Sequence, residues 1–276
     1  MVDKIIFTDL DSSLVDRDTY GWGDNDKLIS KLIGKNIPVI ICTSKTIEEM
    51  MDFYNDLKLE SPFVVENGGA ILFNKKARLN PDISKIEVSD FNDRFFIYKI
   101  GEHHQDFVDK FNYILKKLNI KIEYVHKSDD KRILKLTGLS PENLDKFKKR
   151  RFDLPFLFIE KDDEKIKELY QKVENEGLRI HKGGKFYHIT SDFDKSDPIR
   201  ILINLYSLNN KLFTIGIGDS LNDFKMLELV DKACLVRKKD LSYEKIIMNR
   251  IKNIVKSTEP APKGWEEVIK KVLKGV

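Results

Sequence analysis

Apolar runs of strand length alternate with segments of helical period at the start of the chain. The first run, "KIIFTDL" from Lys4, is rich in β-branched and aromatic residues, and residues 24–35 have the apolar spacing of a helix that ends near Gly34. The strand-like run "IPVIICT", a helix with a capped start at Thr46, and the runs "PFVVE" and "AILF" follow. This order of elements predicts a parallel sheet with helices on both faces.

The last third of the chain repeats this alternation, whereas the middle differs from it. "KLFTIGIGD" and "KACLV" are strand-like, and "LNDFKMLELV" and residues 265–273 have helical spacing. Between residues 83 and 180 the strand-like runs are short and polar at alternate positions, which is typical of an open-faced α+β sheet. These runs are "FFIYKIG", "IKIEYV", "RILKLTG", "FLFIE" and "LRIHKG", and helices are predicted at 103–118, after Pro141 and at 162–175.

The two patterns predict an α/β fold class, in which an α+β cap domain is inserted into a Rossmann-like parallel-sheet core. The core comprises residues 1–82 and 187–276, and the cap comprises residues 83–186. Turn-rich segments near 74–94 and 182–187 are the predicted hinges between the two domains.

The composition is that of a globular protein with nearly balanced charge. The chain has 276 residues, 41% of them hydrophobic and 34% charged, and its formal net charge is +4. This charge is compatible with an anionic substrate, and the lysines form no basic stripe with aromatic residues of the kind that binds nucleic acid. No apolar run approaches transmembrane length. We therefore expect a small-molecule substrate and no nucleic-acid or membrane partner. The expected oligomeric state is a monomer or a homodimer.

The cysteines bear on the compartment. Both of them, Cys42 and Cys234, lie in apolar strand-like runs, which favours buried free thiols in a reducing environment. The first strand begins without a preceding signal sequence. The expected location is therefore cytoplasmic.

Two aspartates, Asp9 and Asp11, end the first predicted strand. In a strand, residues i and i+2 point to the same side, and two like charges held so close repel each other unless a cation lies between them. An Asp-x-Asp pair taken alone is also common where a strand enters a turn. Ligands of open parallel sheets bind outside the carboxyl ends of the strands, so the ends of the other core strands decide between the two interpretations.

Polar side chains do follow the other predicted core strands. Thr43 and Ser44 end the second strand, and Asp219 and Asp223 follow the strand near residue 216, while Lys195 lies in the first turn of the helix before it. Each has an ordinary structural explanation, such as a helix cap or a turn. Together they predict a site at one edge of one sheet.

The residue types at this edge favour phosphoryl transfer. Asp9 can act as a nucleophile that forms an aspartyl-phosphate, and Asp11 can protonate the leaving oxygen and then activate water. Asp9 and Asp219 offer hard oxygen ligands of the kind that Mg²⁺ prefers. Thr43 and Lys195 can bind the phosphoryl oxygens and neutralise charge in the transition state.

Four motifs in this order resemble those of the haloacid dehalogenase superfamily: "DLDSS", "CTSKT", "DKSD" and "GDSLND". The resemblance implies a Mg²⁺-dependent phosphatase with a cap between the second and third motifs. It implies metal ligands at Asp9, Asp219, Asp223 and, through its backbone carbonyl, Asp11. The first motif of the family usually ends in Gly-Thr, whereas this chain has Ser12 and Ser13, and a serine at position 12 would be strained if φ were positive there.

A narrower similarity, to the mannosyl-3-phosphoglycerate phosphatases of that superfamily, rests on "TYGW", "VENGGAI", "GGKFYHI" and "PKGW". It implies hydrolysis of mannosyl-3-phosphoglycerate to phosphate and mannosylglycerate, a compatible solute. Predicted substrate-binding residues in the core are Ser44, Glu66, Asn67 and Gly68, and predicted partners of the glycerate carboxylate are Arg150, Arg151, Lys185 and His188. Each of these has a turn-forming or solvated role as its alternative.

Three other functions remain open at this point. A phosphatase for glucosyl-3-phosphoglycerate is one, because the two sugars differ by one epimeric hydroxyl and no residue distinguishes them. A phosphomannomutase-like phosphotransferase is another, and a non-enzymatic sugar-phosphate sensor is the third. The presence of Asp9, Asp11, Lys195 and Asp219 together argues against the sensor.

Overall fold

The computed structural model describes residues 2–183, 185–207 and 211–274. The strands in these ranges are β1 Lys4–Thr8, β2 Val39–Ile41, β3 Phe63–Val65, β4 Ala70–Asn74, β5 Ser89–Asp90, β6 Phe95–Lys99, β7 Ile122–Tyr124, β8 Asp153–Phe158, β9 Leu178–Lys182, β10 Tyr187–Ser191, β11 Phe213–Gly218, β12 Lys232–Arg237 and β13 Val255–Pro260. The helices are α1 Asn25–Gly34, α2 Ile47–Asp56, α3 His104–Lys117, α4 Asp130–Thr137, α5 Pro141–Lys148, α6 Asp163–Asn175, α7 Ser196–Tyr206, α8 Phe224–Leu229, α9 Lys245–Arg250 and α10 Lys263–Val272.

A five-stranded parallel sheet in the order β13-β12-β11-β1-β2 forms the core. The interior strand β1 lies between β11 and β2 and is buried on both faces, which is why its apolar run is continuous instead of alternating. Ile6 belongs to the apolar cluster that includes α1, α2 and α10, whereas Ile5 and Phe7 belong to the cluster that includes α7, α8 and α9. Helices thus cover both faces of the sheet, and the predicted α/β fold class is confirmed.

Two antiparallel sheets are inserted between β2 and α7. The first has the strand order β3-β4-β6-β5, and it meets the parallel sheet through an isolated parallel bridge between Cys42 and Val64. The apolar run of β3 was expected to join the parallel sheet. In the structure its ladder is antiparallel, with β4, because the turn at residues 66–69 reverses the chain at once.

The second inserted sheet has the order β7-β8-β10-β9 and carries α3 and α6 against its apolar residues. The sequence pattern did not predict β10 as a strand. It pairs with both β9 and β8, with Tyr187 opposite Lys182, so the prediction of a hinge at 182–187 is wrong, because the strands on either side of that segment belong to one sheet. The domain limits at residues 83 and 186 remain a prediction, and β10 extends the antiparallel sheet through Ser191.

The run "RILKLTG" was predicted to be a strand. That prediction is wrong, because the run forms most of the helix α4. The Asp129 side chain caps the helix by accepting the Arg132 backbone N–H at 3.0 Å, and Gly138 ends it with a φ of +76°. Three further elements, β5, α9 and β13, were not predicted. β13 is polar along its length and is held as a strand by its parallel pairing with β12.

The helix α2 shows the predicted capped start. The Thr46 hydroxyl accepts the Glu49 backbone N–H at 3.1 Å, and the Glu49 carboxylate accepts the Thr46 backbone N–H at 2.9 Å. Cys42 and Cys234 are buried free thiols, as expected. Of the helices in the described ranges, none is long and apolar enough to span a membrane.

Candidate active site

The carboxyl ends of β1 and β11 bring Asp9 and Asp219 together. The two strands are parallel neighbours with Thr8 opposite Ile217, and the Asp9 backbone N–H donates to the Ile217 carbonyl at 2.8 Å. Trp265 of α10 supports this end of β1, because its indole N–H donates to the Thr8 hydroxyl at 2.9 Å. The position of Asp9 is therefore determined by strand pairing below it and by helix packing beside it.

Three buried carboxylates, those of Asp9, Asp219 and Asp223, each place an oxygen within 4.8 Å of the others. Asp223 uses both of its oxygens: one accepts from the Lys195 ammonium at 2.7 Å, and the other accepts the backbone N–H groups of Asp219 and Ser220 at 3.1 and 3.2 Å. A Cβ at Gly218 would lie 2.5 Å from the Asp223 side chain, so this close approach requires glycine.

Lys195 precedes α7 and is buried at the centre of this cluster. Its ammonium lies 2.5 Å from an Asp9 oxygen and 2.7 Å from Asp223. Burial alone would lower the pKa of Lys195, but the carboxylates of Asp223 and Asp9 outweigh burial and raise that pKa above its usual range. The lysine is therefore a permanent cation among three acids.

One ammonium among three carboxylates leaves an excess of buried negative charge. Burial, and next the charge of Asp223, raise the pKa of Asp219 to about 7. Burial also raises the pKa of Asp9 well above its usual range, although Lys195 opposes the effect. Carboxylate oxygens at this spacing, with charge left to neutralise, fit a hard divalent cation.

Asp11 lies on the loop that follows β1, and its carboxylate is 3.2 Å from the ammonium of Lys45. Lys45 is buried, with its ammonium 4.5 Å from the centre of the Tyr20 ring. Burial alone would lower the pKa of Lys45, but Asp11 and Glu49 raise it above its usual range. The sequence "CTSK" places Lys45 with Thr43 and Ser44 at the end of β2, but no role in the site was predicted for this lysine.

The Ser12 backbone has a φ of +64°, which answers the question raised by its place in the first motif. A left-handed conformation costs a residue other than glycine about 1–2 kcal/mol, whereas glycine adopts it freely but loses more entropy on folding. Ser12→Gly is therefore expected to raise the free energy of unfolding by about 0.5–1 kcal/mol. Denaturant-induced unfolding at equilibrium measures this change.

Ser30→Gly is the matched control for that substitution. Ser30 is exposed inside α1, where glycine only weakens the helix, so this change is expected to lower the free energy of unfolding. Destabilisation of the same sign in both variants would contradict the claim that Ser12 is strained.

Thr43 and Ser44 follow β2, as predicted, and make different contacts. The Thr43 side chain is buried, and its hydroxyl accepts the Lys45 backbone N–H at 3.1 Å. Ser44 lines the cavity described below, and its carbonyl accepts from the Arg150 guanidinium at 3.2 Å. The loop after β2 therefore joins the core to a cation from the inserted segment.

Glu66, Asn67 and Gly68 form a turn that holds the core and the inserted segment together and does not line the cavity. The Glu66 carboxylate accepts three successive backbone N–H groups, those of residues 151–153, at 2.8–3.2 Å. Burial, and next the charge of Asp153, raise the pKa of Glu66 to about 7. Gly68 has a φ of +113°, and a Cβ there would lie 2.4 Å from the Asp194 carbonyl, next to Lys195.

A cavity of about 480 Å³ lies over the carboxylate cluster. Asp9, Asp11 and Asp219 reach it from the core, and Arg150, Lys185 and His188 reach it from the inserted segment. Arg151 does not line it, because its guanidinium binds the Glu48 carboxylate at 2.7 and 2.9 Å. Three of the four predicted partners of the glycerate carboxylate therefore line one cavity, and the fourth, Arg151, does not.

Asp153 was missed by the sequence analysis. It begins β8 with no exposed surface, and its carboxylate accepts hydrogen bonds from Arg150, His188 and Asn67. The available signal was an acid at the start of an otherwise apolar strand, in "RRFDLPF". A charged residue at a strand end is common, so the pattern alone does not single out Asp153.

A second cavity of about 190 Å³ shares part of its lining with the first. The shared residues are Tyr20, Lys45, Glu49 and Leu139. The smaller cavity adds two aromatic rings and polar groups, namely Trp22, Phe53, Asp52, Asp56 and Asn143. Its wall thus combines apolar faces with hydrogen-bonding groups.

The chain has extensive similarity to characterised proteins. A family profile for haloacid dehalogenase-like hydrolases matches residues 6–257. A glucosyl-3-phosphoglycerate/mannosyl-3-phosphoglycerate phosphatase of Persephonella marina is 34% identical over 275 residues, which are 98% of this chain and 97% of the relative. A protein of the same name from Methanococcoides burtonii is 34% identical over 269 residues, with 96% and 95% covered. Among solved structures, a haloacid dehalogenase subclass IIB sugar phosphatase has a similar fold, with a TM-score of 0.65 at 14% identity and 98% of both chains covered.

Proposed function

Since the chain belongs to the haloacid dehalogenase-like hydrolase family, we propose that it is a Mg²⁺-dependent phosphatase that releases inorganic phosphate from mannosyl-3-phosphoglycerate. The observation that carries this proposal is the pairing, in one cavity, of a buried carboxylate–lysine cluster with Arg150, Lys185 and His188. Such a cavity suits a molecule with a phosphate at one end and a second anionic group nearby. Glucosyl-3-phosphoglycerate is the second substrate, because two relatives at 34% identity carry both sugars in their names.

Phosphate release proceeds in two steps on this assignment. An Asp9 oxygen attacks phosphorus, the bond from phosphorus to the glycerate oxygen breaks, and Asp11 gives its proton to that departing oxygen. Asp11 then takes a proton from water while the water oxygen attacks phosphorus, and the bond between phosphorus and Asp9 breaks. Phosphate leaves with Asp9 ionised and Asp11 protonated, as at the start.

Three cationic groups support these steps. Lys195, 2.5 Å from Asp9, neutralises charge at the attacking carboxylate and on the phosphoryl group. Lys45, 3.2 Å from Asp11, stabilises Asp11 as a carboxylate between the two proton transfers. Asp9 and Asp219, with the Asp11 carbonyl and Asp223 as the other predicted ligands, would hold Mg²⁺, which would supply further positive charge for the phosphoryl group when bound.

The remaining parts of the substrate find partners in the two cavities. Arg150 and Lys185 bind the glycerate carboxylate. His188, which lines the same cavity, and Arg151, whose guanidinium would first have to leave Glu48, stay predictions as its partners. The hexosyl group enters the aromatic side cavity, where ring faces and carboxylates suit the C–H and O–H groups of a sugar. Ser44, Glu66, Asn67 and Gly68 stay predictions as substrate-binding residues.

Phosphate release from a panel of substrates tests this function. We expect kcat/KM with Mg²⁺ to be far higher for mannosyl- and glucosyl-3-phosphoglycerate than for mannose 6-phosphate, 3-phosphoglycerate or p-nitrophenyl phosphate. Activity on p-nitrophenyl phosphate alone would keep the phosphatase chemistry and reject the substrate. Interconversion of mannose 1-phosphate and mannose 6-phosphate, followed by ³¹P NMR, would instead indicate the phosphotransferase.

A further inference from the structure

The carboxylate of Asp153 joins two of the side chains that line the cavity, those of Arg150 and His188, to the core. Arg150 donates to one of its oxygens, and the other oxygen lies 2.8 Å from both His188 Nδ1 and the Asn67 side-chain nitrogen. Asp153 is fully buried, so water does not share these bonds. Each of its two oxygens is committed to side chains whose orientation it can determine.

The hydrogen bond between Asp153 and His188 determines which imidazole nitrogen carries the proton. A carboxylate only accepts hydrogen bonds, so Nδ1 must carry the proton, and Nε2 is then the nitrogen left for another partner. Nε2 lies on the side of the β9–β10 turn, where a Cβ at Gly183 would be 3.4 Å from it. Both His188 and Gly183 line the 480 Å³ cavity, so the free nitrogen belongs to the cavity wall.

The same carboxylate is held in place by the turn at residues 66–68. Asn67 donates to Asp153 through its side chain and to the Thr43 carbonyl through its backbone N–H, at 3.0 Å. Glu66 accepts the Asp153 backbone N–H at 3.2 Å and donates its own backbone N–H to the Lys45 carbonyl at 3.0 Å. Asp153 is thereby placed relative to the loop after β2, which approaches the phosphate end of the cavity.

We propose that Asp153 is a positioning residue for substrate recognition: it holds His188 as the Nδ1–H tautomer, whose Nε2 accepts a hydrogen bond from a substrate hydroxyl, and it holds Arg150 at the cavity wall, where the guanidinium binds the second anionic group of the substrate. This inference rests on the proposed function, in which that group is a carboxylate. Asp153 touches neither the phosphate nor the carboxylate cluster of the core. Its effect is therefore on recognition of the whole substrate and not on phosphoryl chemistry.

The tautomer can be measured in the unaltered protein without any substrate. Long-range ¹H–¹⁵N correlation spectra at about pH 8, above the ordinary titration range of histidine, distinguish a protonated Nδ1 from a protonated Nε2. The chain has 5 histidines, and His188→Gln identifies the signal of His188 by its loss. We expect the Nδ1–H form, and a dominant Nε2–H form would overturn the proposal.

Asp153→Asn tests the consequence for substrate binding. An asparagine can turn its NH₂ group towards His188, which favours the opposite tautomer, and it no longer neutralises Arg150. We expect KM for mannosyl-3-phosphoglycerate to rise ~10- to 100-fold, with kcat/KM for p-nitrophenyl phosphate nearly unchanged. An equal fall in activity on both substrates would show a structural role only and would overturn the proposal.

Two further variants keep this result interpretable. Glu123→Gln removes a charge pair with Arg132 in the same inserted sheet but outside the cavity, and it is expected to leave both KM values unchanged. In a His188→Gln background, Asp153→Asn is expected to raise KM by a smaller factor than in the unaltered protein, because its effect through His188 is already lost. Equal factors in the two backgrounds would exclude action through His188.

The outcome also separates this inference from the proposed function. If the unaltered protein hydrolyses p-nitrophenyl phosphate but neither glycosyl-3-phosphoglycerate, the proposed substrate is wrong, and the tautomer measurement still decides the role of Asp153 at His188. If it hydrolyses the glycosyl substrates and Asp153→Asn leaves their KM unchanged, the function stands and the inference fails.

Discussion

Replacing Asp9 by Asn is expected to lower kcat for phosphate release by about 10⁴-fold or more while the fold is retained. The amide has nearly the same shape as the carboxylate but lacks the charge and the nucleophilic oxygen that attacks phosphorus. Lys195 keeps its second partner, Asp223, at 2.7 Å, so the buried ammonium is not left without a countercharge. Single-turnover phosphate release and circular dichroism measure the two parts of this prediction.

A surface substitution provides the matched control for that loss. Asp24 is exposed and pairs with Lys27 at the start of α1, so Asp24→Asn is expected to leave kcat unchanged. Mass spectrometry of acid-quenched enzyme is expected to find a phosphorylated peptide containing Asp9 in the unaltered protein and none in Asp9→Asn. Turnover by Asp9→Asn near that of the unaltered protein would mean that another residue is the nucleophile.

Removal of divalent cations is expected to abolish phosphate release, and Mg²⁺ is expected to restore it. The cluster holds three buried carboxylates against one lysine, and a phosphate dianion would bring further negative charge to the same place. Ca²⁺, which prefers longer bonds and more ligands, is expected to restore activity poorly. Dialysis against a chelator followed by metal titration measures both effects, and undiminished turnover after exhaustive chelation would refute the metal-dependent mechanism.

Thermal unfolding provides a second measurement that does not depend on turnover. A cation that binds only the folded protein raises Tm by an amount that grows with the ratio of its free concentration to its Kd. We expect Mg²⁺ to raise Tm of the unaltered protein and to raise that of Asp219→Asn much less, because one of the two cluster carboxylates that line the cavity is then neutral. A Tm increase of the same size in both proteins would place the bound ion elsewhere.

The core and its carboxylate cluster could be predicted because they follow from local patterns and one topological rule. The apolar runs of β1 and β11 are recognisable without any tertiary information, and parallel neighbouring strands end at the same sheet edge. Asp9 and Asp219 must then lie near each other, and their spacing in the structure agrees. The start of α2 is similarly local, since Thr46 and Glu49 satisfy each other's backbone groups.

Short segments of ambiguous pattern could not be assigned in the same way. "RILKLTG" has alternating apolar positions over four residues, and such a run suits a strand as well as the short helix α4 that it forms. β13 has few apolar residues, and only pairing with β12 makes it a strand. β13 therefore depends on a partner strand that its own sequence does not show, whereas α4 is determined by the residues that flank its run, the Asp129 cap and Gly138.

The sequence by itself determined which groups are available for chemistry and which sheet edge collects them. Only the tertiary structure decided which partner each charged side chain takes. Glu66 was expected to face the substrate, yet it binds backbone N–H groups that are 85–87 residues away in the chain. Arg150 and Arg151 are adjacent, but one reaches the cavity and the other binds Glu48. The physical reason is that a buried charge must find a partner wherever the fold brings one within hydrogen-bonding distance, and that distance depends on packing between segments far apart in the sequence.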